Sequence, residues 1–273
     1  MKIKKYSKQL KLLAAACVAG SLIYLFWLPN VAVLKKHNPK TTAFIELRRA
    51  QAKRAGKKFV LNMRWVNINA VSPTLVHALI MSEDQAFYRH EGIDWGQTKA
   101  ALKRDWQKKK LAIGGSTISQ QLAKNLYLSP SRNPLRKLKE MIIARMLERN
   151  LSKQRILELY LNVAEWGKGI FGVQAASYAY FGKPASALSP EESVALVSIL
   201  PSPRKWNPVN PTRYLAGRQN SLLSRMRRSG YLPDEVEEEI GPEVLTSSSS
   251  DKTQEAPASE AGASSSTQTV QSN

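Results

Sequence analysis

A polar ridge that follows two adjacent glycines carries the clearest chemical signal in this sequence. Ser116, Gln120 and Lys124 recur at a spacing of four residues, and Ser116 is expected to cap a helix that begins at Thr117. The free N–H groups and the dipole of a helix N-terminus favour an anionic phosphate, and a lysine on the same face strengthens that preference. A capped amphipathic helix with a solvated polar face is the alternative, and the pattern alone leaves both interpretations open.

Two glutamates are candidates for acid–base chemistry. Glu83 lies four residues after Leu79 and seven after Val76, so within a helix its carboxylate would extend an apolar stripe. Partial desolvation there would suit a group that takes or gives a proton near neutral pH, although an ordinary glutamate at a helix end fits the same position. Glu140 follows Arg136 by one helical turn, a spacing that is also typical of a surface ion pair.

Helices are predicted to position these residues, because capping signals precede several apolar segments. We expect helices to begin at three capping serines, Ser72, Ser152 and Ser189. The first should bury Val76, Leu79 and Ile80. The second should end near Gly167. Only residues 59–68, FVLNMRWVNI, are rich enough in apolar and β-branched residues to suggest a short strand, so the predicted fold class is mainly α.

The N-terminus predicts a membrane anchor. Residues 1–11 include five lysines and precede an apolar run over residues 12–28, which can span most of a hydrocarbon core about 30 Å thick. The basic side should stay in the cytoplasm, so the rest of the chain would lie outside the membrane. A signal peptide cleaved near the small residues Ala14, Ala15 and Ala16, or a lipid on Cys17, is the alternative. Cleavage there would leave a very short apolar core, and apolar residues follow Cys17 where a polar tether is expected.

Charge and cysteine content narrow the partners and the compartment. The formal net charge is +20, and because the residues after position 233 carry −8, residues 1–233 carry +28. Nucleic acid is a common partner of so basic a domain, but an exported, tethered domain meets anionic lipid head groups instead. A single cysteine allows no internal disulfide, and no zinc-binding spacing is present. The polar segment from residue 246 predicts a disordered tail.

Several segments together resemble a known family. They are EDQAFYRHEG (83–92), GGSTISQQLAKN (114–125), RKLKE (136–140), ILELYLN (156–162), GKGIFGVQAASYAYFGK (167–183) and LPSPRKWNP (200–208). In this order and spacing they resemble the family 51 glycosyltransferases, the peptidoglycan glycosyltransferases found in class A penicillin-binding proteins. The likeness covers residues 65–230.

The resemblance implies a mainly α, lysozyme-like helical catalytic domain behind a single N-terminal transmembrane helix. The implied organisation is a cytoplasmic N-terminus (1–11), an anchor (12–28), a connector (29–64), a glycosyltransferase domain (65–245) and a serine-rich tail (246–273). Such an enzyme polymerises lipid II into β-1,4 glycan strands, with release of undecaprenyl pyrophosphate, on the periplasmic side of the bacterial inner membrane. Its partners would be the lipid-linked glycan, the membrane and candidate cell-wall synthesis and division proteins, but not nucleic acid.

The resemblance also assigns roles to individual residues. Glu83 matches the family's catalytic general base, and Glu140 matches a second carboxylate with an orienting or metal-assisting role. Substrate binding is implied for Asp84, Ser116, Gln120, Gln121, Lys124, Arg136 and Lys137. A divalent cation, magnesium or manganese, at the pyrophosphate is the one cofactor that this assignment allows, and nothing indicates it firmly. His90 is expected to have a positioning role and Glu165 a structural one.

The segment before the two glycines is a candidate membrane contact. Trp95, Trp106, Leu111 and Ile113 are interleaved with lysines and arginines, a mixture that suits a lipid interface. A mobile solvated loop is the alternative. Because members of the family touch the membrane with this region, we expect it to help admit a lipid-linked substrate.

Two other functions compete with the transferase. Two carboxylates in a lysozyme-like domain could cut β-1,4 bonds as in a lytic muramidase, but a hydrolase has no pyrophosphate for the basic residues to hold. A membrane-tethered scaffold without catalysis is the third hypothesis. A transpeptidase activity is not expected, because SPRK at Ser202 and SRN at Ser131 stand in the wrong order and no KTG motif is present. The chain is therefore predicted to be a monofunctional glycosyltransferase.

Overall fold

Helices form most of the protein in the computed structural model, which describes residues 2–108, 115–131 and 133–232. The described α-helices are α1 (Lys2–Phe26), α2 (Ala43–Arg54), α3 (Pro73–Glu83), α4 (Trp95–Lys108), α5 (Ile118–Tyr127), α6 (Pro134–Asn150), α7 (Lys153–Val163), α8 (Val173–Phe181), α9 (Pro190–Ile199) and α10 (Arg213–Arg228). The mainly α fold class is confirmed. The predicted disordered tail, residues 246–273, lies outside the described residues.

Helix α5 lies within a single hydrophobic core. It packs against α2, α6 and α7, while α3, α9 and α10 pack against one another. The largest fully buried side chains include Trp166, Tyr160, Phe87, Leu79, Ile118 and Leu122. Each large apolar side chain contributes about 1.5–3 kcal/mol to stability when it is buried. The apolar face of α5 is therefore fixed in the core by packing, and its polar face can carry functional side chains.

The predicted capping signals of two helices are confirmed. Ser152 caps α7 by accepting a hydrogen bond from the backbone N–H of Arg155 at 3.2 Å. Ser189 and Glu192 form a reciprocal capping box at the start of α9, with distances of 2.7 and 3.2 Å. Both helices therefore start where the sequence predicts.

The predicted buried face of α3 is partly wrong. Leu79 is fully buried as expected, but its buried companions are Leu75 and Ala78, whereas Val76 and Ile80 are only partly buried at the edge of the core. Two neighbouring elements, α9 and α10, pack on α3 and so turn its apolar face by about one residue from the face that the spacing suggested. The sequence could not show which helices would cover α3.

A small sheet ends α7 earlier than predicted. Helix α7 stops at Val163 rather than near Gly167, because the chain enters a strand, β2 (Glu165–Gly167). This strand pairs antiparallel with β3 (Ile170–Phe171), and β3 pairs parallel with β1 (Asn62–Met63). Strand β1 lies within the predicted segment 59–68 but is only two residues long.

Helix α2 lies within the segment that the sequence suggested as a connector. Thr42 caps it by accepting a hydrogen bond from the N–H of Ile45 at 3.1 Å. The helix packs on α5, and its Arg48 forms a 2.6 Å ion pair with the nearly buried Glu165 of β2. Tertiary contacts of this kind, which join residues far apart in sequence, stabilise a helix whose own apolar pattern is weak.

Helix α1 runs through most of the predicted anchor. The segment Leu10–Lys35 contains a window that is long and apolar enough to cross a membrane, with a mean hydropathy of 2.0 and only 6% of the window buried inside the protein. Such exposed apolar surface is expected of a helix that lies in lipid.

Candidate active site

The N-terminus of α5 is capped by Thr117, not by Ser116, and the helix begins at Ile118 rather than Thr117. The Thr117 hydroxyl accepts the N–H of Gln120 at 3.1 Å, and the Gln120 side-chain oxygen accepts the N–H of Thr117 at 3.2 Å. This reciprocal box satisfies two backbone donors, whereas a serine cap one residue earlier would satisfy one. Ser116 is thereby free to accept a hydrogen bond from Lys137 Nζ at 2.7 Å.

Helices α5 and α6 bring the predicted cationic residues together. The Glu140 carboxylate, only 2% exposed, accepts hydrogen bonds from Arg136 Nη1 and from Lys137 Nζ, the latter at 2.5 Å. Asn133 caps α6 just before these residues by accepting the N–H of Leu135 at 2.8 Å. With one carboxylate against two directly paired cations, the cluster carries an excess positive charge and suits a polyanionic ligand.

Lys124 adds a third cation to this cluster from α5. Burial lowers the pKa of its ammonium group, and Lys137 and Arg136 lower it further, while Glu140 and Glu83 act in the opposite direction. Its Nζ atom lies 5.9 Å from the centroid of the Phe44 ring of α2. Among the described residues, Lys124 Nζ has no hydrogen-bonding partner, so its charge is available to a ligand.

Glu83, the last residue of α3, contacts the polar face of α5. Its Oε2 atom accepts a hydrogen bond from Gln121 Nε2 at 2.9 Å, and its Oε1 atom lies 3.7 Å from Arg218 Nη2 of α10. Its side chain is 13% exposed. Because Gln121 and Lys124 are one turn apart on α5, a single helix carries both the contact to Glu83 and a cation of the cluster.

Asp84 is turned into the protein rather than toward the polar face. Its carboxylate, 2% exposed, accepts the N–H of Ile118 at 2.9 Å and contacts His90 Nε2 at 2.9 and 3.0 Å. His90 Nδ1 accepts the N–H of Gly92 at 3.1 Å, so the proton of the ring lies on Nε2 and is donated to Asp84. The helix dipole stabilises a carboxylate at a helix N-terminus. The hydrogen bond from Ile118 to Asp84 therefore holds the adjacent residue, Glu83, close to α5.

The remaining predicted residues divide between the site and its support. Gln120, 2% exposed, serves the capping box, although its oxygen also lies 3.3 Å from Lys137 Nζ. Glu165 forms an ion pair with Arg48 of α2, a contact that fits the structural role expected for it. Helix α4 carries Trp95, which is 58% exposed, but residues 109–114 of the candidate membrane segment lie outside the described residues.

Sequence reasoning missed two residues that bear on Glu83. Tyr160 of α7 donates a hydrogen bond to Gln121 Oε1 at 2.9 Å, and Arg218 donates one to Ser82 Oγ at 3.0 Å. Tyr160 lies in the ILELYLN segment, which assigned no role to its hydroxyl, and Arg218 follows Ser82 by 136 residues. No local pattern marks either contact, because tertiary packing creates both of them.

The described residues contain no group of three His, Cys, Asp or Glu side chains that could hold a metal ion. Both oxygens of Glu140 already accept hydrogen bonds from cationic side chains. This donor set does not fit a divalent cation, which prefers several carboxylate or carbonyl oxygens.

Comparison with known proteins decides the family of this chain. The transglycosylase family pattern matches residues 51–227. The chain belongs to the transglycosylase family. It is 43% identical over 213 residues to the biosynthetic peptidoglycan transglycosylase of Chromobacterium violaceum, covering 78% of this chain and 93% of the relative. It is 46% identical over 192 residues to the protein of the same name from an Azoarcus species, covering 70% of this chain and 83% of the relative.

Membership in the transglycosylase family confirms the resemblance seen in the sequence and the lysozyme-like helical class of the domain. The chain is a peptidoglycan glycosyltransferase of cell-wall biosynthesis, and a lytic or non-catalytic function is not favoured. Because the match covers 93% of the Chromobacterium relative, little of that protein lies outside it, which agrees with a monofunctional transglycosylase.

Proposed function

We propose that this transglycosylase polymerises lipid II with Glu83 as the general base and with Lys124, Arg136 and Lys137 as the binding site for the departing pyrophosphate. The observation that supports this most directly is the arrangement on α5, where one turn separates the Gln121 contact to Glu83 from the cationic cluster. A proton acceptor and an anion site on the same face are what a transfer from a pyrophosphate donor requires.

In the proposed reaction, Glu83 removes the proton from the 4-hydroxyl group of the acceptor sugar. The resulting oxygen nucleophile attacks the anomeric carbon of the growing chain, the bond from that carbon to the pyrophosphate oxygen breaks, and the configuration inverts. Negative charge then develops on undecaprenyl pyrophosphate as it leaves. Lys124, Arg136 and Lys137 stabilise that charge, and preorganised electrostatic stabilisation of this kind is commonly the largest contribution to the rate.

Glu140 holds two of these cations in place in the proposed site. Without ligand, its carboxylate balances part of the charge of Arg136 and Lys137. When the pyrophosphate arrives, both side chains can share their hydrogen bonds with it, because guanidinium and ammonium groups each offer several donors. We assign no step to a divalent cation.

We further propose that α1 anchors the enzyme in the bacterial inner membrane with the catalytic domain on the periplasmic side. The basic residues before the apolar helix favour this orientation. Placement beside the membrane also suits a substrate and a leaving group that both carry a lipid.

The experiment that tests the proposal is polymerisation of labelled lipid II by the detergent-solubilised enzyme, with wild type and Glu83→Gln compared side by side. We expect long glycan strands from wild type and a loss of rate of at least about 100-fold in the variant, the range in which general-base catalysis contributes. Normal polymerisation by a folded Glu83→Gln enzyme would exclude Glu83 as the base.

A further inference from the structure

A buried hydrogen-bond chain connects the core to the proposed base. Tyr160 is 1% exposed on α7 and donates its hydroxyl proton to Gln121 Oε1 at 2.9 Å. The Nε2 group of the same amide donates to Glu83 Oε2 at 2.9 Å. Thus Tyr160 reaches Glu83 through one intervening side chain.

The oxygen and the nitrogen of the Gln121 amide are not equivalent, so this chain of hydrogen bonds has a direction. A carboxamide accepts hydrogen bonds on its oxygen and donates them from its nitrogen. When the hydroxyl of Tyr160 donates to the oxygen, the nitrogen of Gln121 must face Glu83. Donation to a carboxylate favours its ionised form, whereas a carbonyl oxygen turned toward it would favour the protonated form.

We propose that Tyr160 is a positioning residue that fixes the orientation of the Gln121 amide, so that its N–H group rather than its carbonyl faces Glu83 and aims that carboxylate at the acceptor hydroxyl. This inference rests on the assignment of Glu83 as the general base. It adds a residue that touches neither the substrate nor the reacting atoms.

Tyr160 is suited to this task because it remains a hydrogen-bond donor. Burial raises the pKa of its hydroxyl well above the ordinary value, and the negative charge of Glu83 raises it further. The hydroxyl therefore keeps its proton at every pH at which the enzyme is expected to work. Phenylalanine would fill the same space and remove only the donor.

Other charged groups also face Glu83, and none of them changes in this comparison. Arg218 of α10 lies 3.7 Å from its Oε1 atom, and Lys124 of α5 interacts with it electrostatically. Helix α9, which also packs on α3, carries its carboxylates in its first turn, where Glu192 pairs with Lys183 at 2.6 Å. Neither nearby cation is altered when the Tyr160 hydroxyl is removed.

The test is the pH dependence of kcat/KM for lipid II polymerisation by the full-length Tyr160→Phe enzyme. We expect the acidic limb to move to higher pH by about half to one unit, as the loss of one well-placed hydrogen bond implies. Activity should return to within a few fold of wild type at higher pH, because the variant keeps the carboxylate and loses only the hydroxyl that orients its neighbour. Gln121→Leu should displace the same limb in the same direction, and the double variant should displace it no further than Gln121→Leu alone.

A matched control is available in Tyr180→Phe. The Tyr180 hydroxyl is also partly buried, but it donates to the backbone oxygen of Trp166 at 3.1 Å and has no contact with the Glu83 network. Its loss should leave the acidic limb in place.

Two results would overturn the inference about Tyr160. One is an equal loss of activity at every pH with no displaced limb, and the other is the same displacement in Tyr180→Phe. If Glu83→Gln is inactive while the limb of Tyr160→Phe does not move, only the positioning role fails. If Glu83→Gln polymerises normally, the base assignment fails together with the inference built on it.

Discussion

At the scale of single residues, Lys124 of the proposed pyrophosphate site is a cation that lowers the stability of the unliganded protein. Its ammonium group is partly buried near Arg136 and Lys137, and both burial and these neighbours lower its pKa. A charge held in this way costs free energy in the unliganded protein and is compensated only when an anion binds. The arrangement therefore leads to opposite expectations for stability and activity.

We predict that Lys124→Met raises the melting temperature and abolishes polymerisation. The gain in unfolding free energy should be on the order of 1 kcal/mol, which is typical when a strained functional charge is removed. Thermal unfolding and the lipid II assay measure the two effects. Lys168→Met is the control, because Lys168 is exposed and its replacement should change neither quantity appreciably. A destabilised Lys124→Met protein would contradict this account.

The lowered pKa also determines how this gain depends on pH. The folded pKa of Lys124 lies below its unfolded value near 10.5, so the folded state binds this proton less tightly than the unfolded state. The free energy of unfolding therefore rises with pH between the folded and the unfolded pKa of Lys124. The cost of the buried charge is present in full below the folded pKa and is absent above the unfolded pKa. The advantage of Lys124→Met over wild type should therefore be largest at neutral pH and shrink as pH rises toward 10. Unfolding measured at several pH values checks the sign.

The sequence predicted which residues belong to the candidate site where a motif contains them. It did not predict those that reach the site through tertiary packing. Glu83, Lys124 and Glu140 stood out because each lies in a motif. The Tyr160 hydroxyl did not, because its hydrogen-bond partner is 39 residues away and the spacing indicates only a buried aromatic residue.

At the scale of elements, two neighbouring hydroxyl groups at the start of α5, those of Ser116 and Thr117, have different roles. Thr117 is buried, caps the helix and donates to the backbone oxygen of Gly92 at 2.7 Å. Ser116 instead accepts from Lys137. The sequence predicted the cap one residue too early, because both residues are good caps and only the position of Gln120 distinguishes them.

We predict that Thr117→Val lowers the free energy of unfolding by about 2 kcal/mol, because it removes a cap and leaves two buried backbone groups without partners. Ser116→Ala should change it by less than about 0.5 kcal/mol, as expected away from such features. Denaturant unfolding of both variants provides the comparison. A larger effect at Ser116 than at Thr117 would show that Ser116 is the cap after all.

The turn between His90 and α4 depends on a glycine. Gly92 has a φ of +93°, and a Cβ atom there would lie 2.9 Å from the backbone oxygen of Ala144 in α6. The same residue contributes the carbonyl that binds Thr117, so this turn sets the distance between α5 and α6. Both helices carry site residues.

We predict that Gly92→Ala destabilises the protein by about 3 kcal/mol or more, because left-handed backbone strain and a clash with rigid backbone act together. Gly182→Ala is the matched control. Gly182 also has a positive φ, +69°, but a Cβ atom there would meet nothing within 4 Å, so only about 1 kcal/mol is expected. Equal losses in the two variants would show that the contact with Ala144 has no energetic consequence.

The sequence predicted helix boundaries that local interactions determine, but not those that depend on tertiary contacts. Capping sequences fixed the starts of α7 and α9, since a cap is a local interaction. Helix α2 and the strands β2 and β3 were not predicted. Helix α2 depends on packing against α5 and on the ion pair between Arg48 and Glu165 of β2. Local sequence contains neither contact.

At the scale of the whole molecule, α6 connects the anchor to the cationic cluster. Lys139 Nζ donates to the backbone oxygen of Tyr24 in α1 at 2.7 Å and lies 4.2 Å from the centre of its ring. On the same helix, Leu135 and Leu138 are 37% and 46% exposed. The anchor and the basic body could be predicted from composition, but which helix lies against the anchor could not.

These contacts place the start of α6 next to the end of the apolar helix, where a membrane surface would lie. Leu135 and Leu138 would then enter the interface, while Arg136 and Lys137, between them in sequence, would hold the pyrophosphate as proposed above. An enzyme whose leaving group carries a lipid gains from this arrangement, because the head group is bound while its chain remains in the bilayer.

We predict that a variant lacking residues 1–28 still binds vesicles that contain anionic lipid, and that adding Leu135→Ser and Leu138→Ser weakens this binding roughly thirtyfold. The estimate assumes that each partly exposed leucine contributes on the order of 1 kcal/mol when it enters lipid. Both positions are exposed, so the melting temperature should stay within the range of surface substitutions. Val209→Ser, which alters a 50% exposed apolar residue between α9 and α10, is the control and should leave vesicle binding unchanged. Sedimentation with vesicles measures the affinity, and equal binding by the truncated protein with and without the two leucines would place the membrane against another surface of the domain.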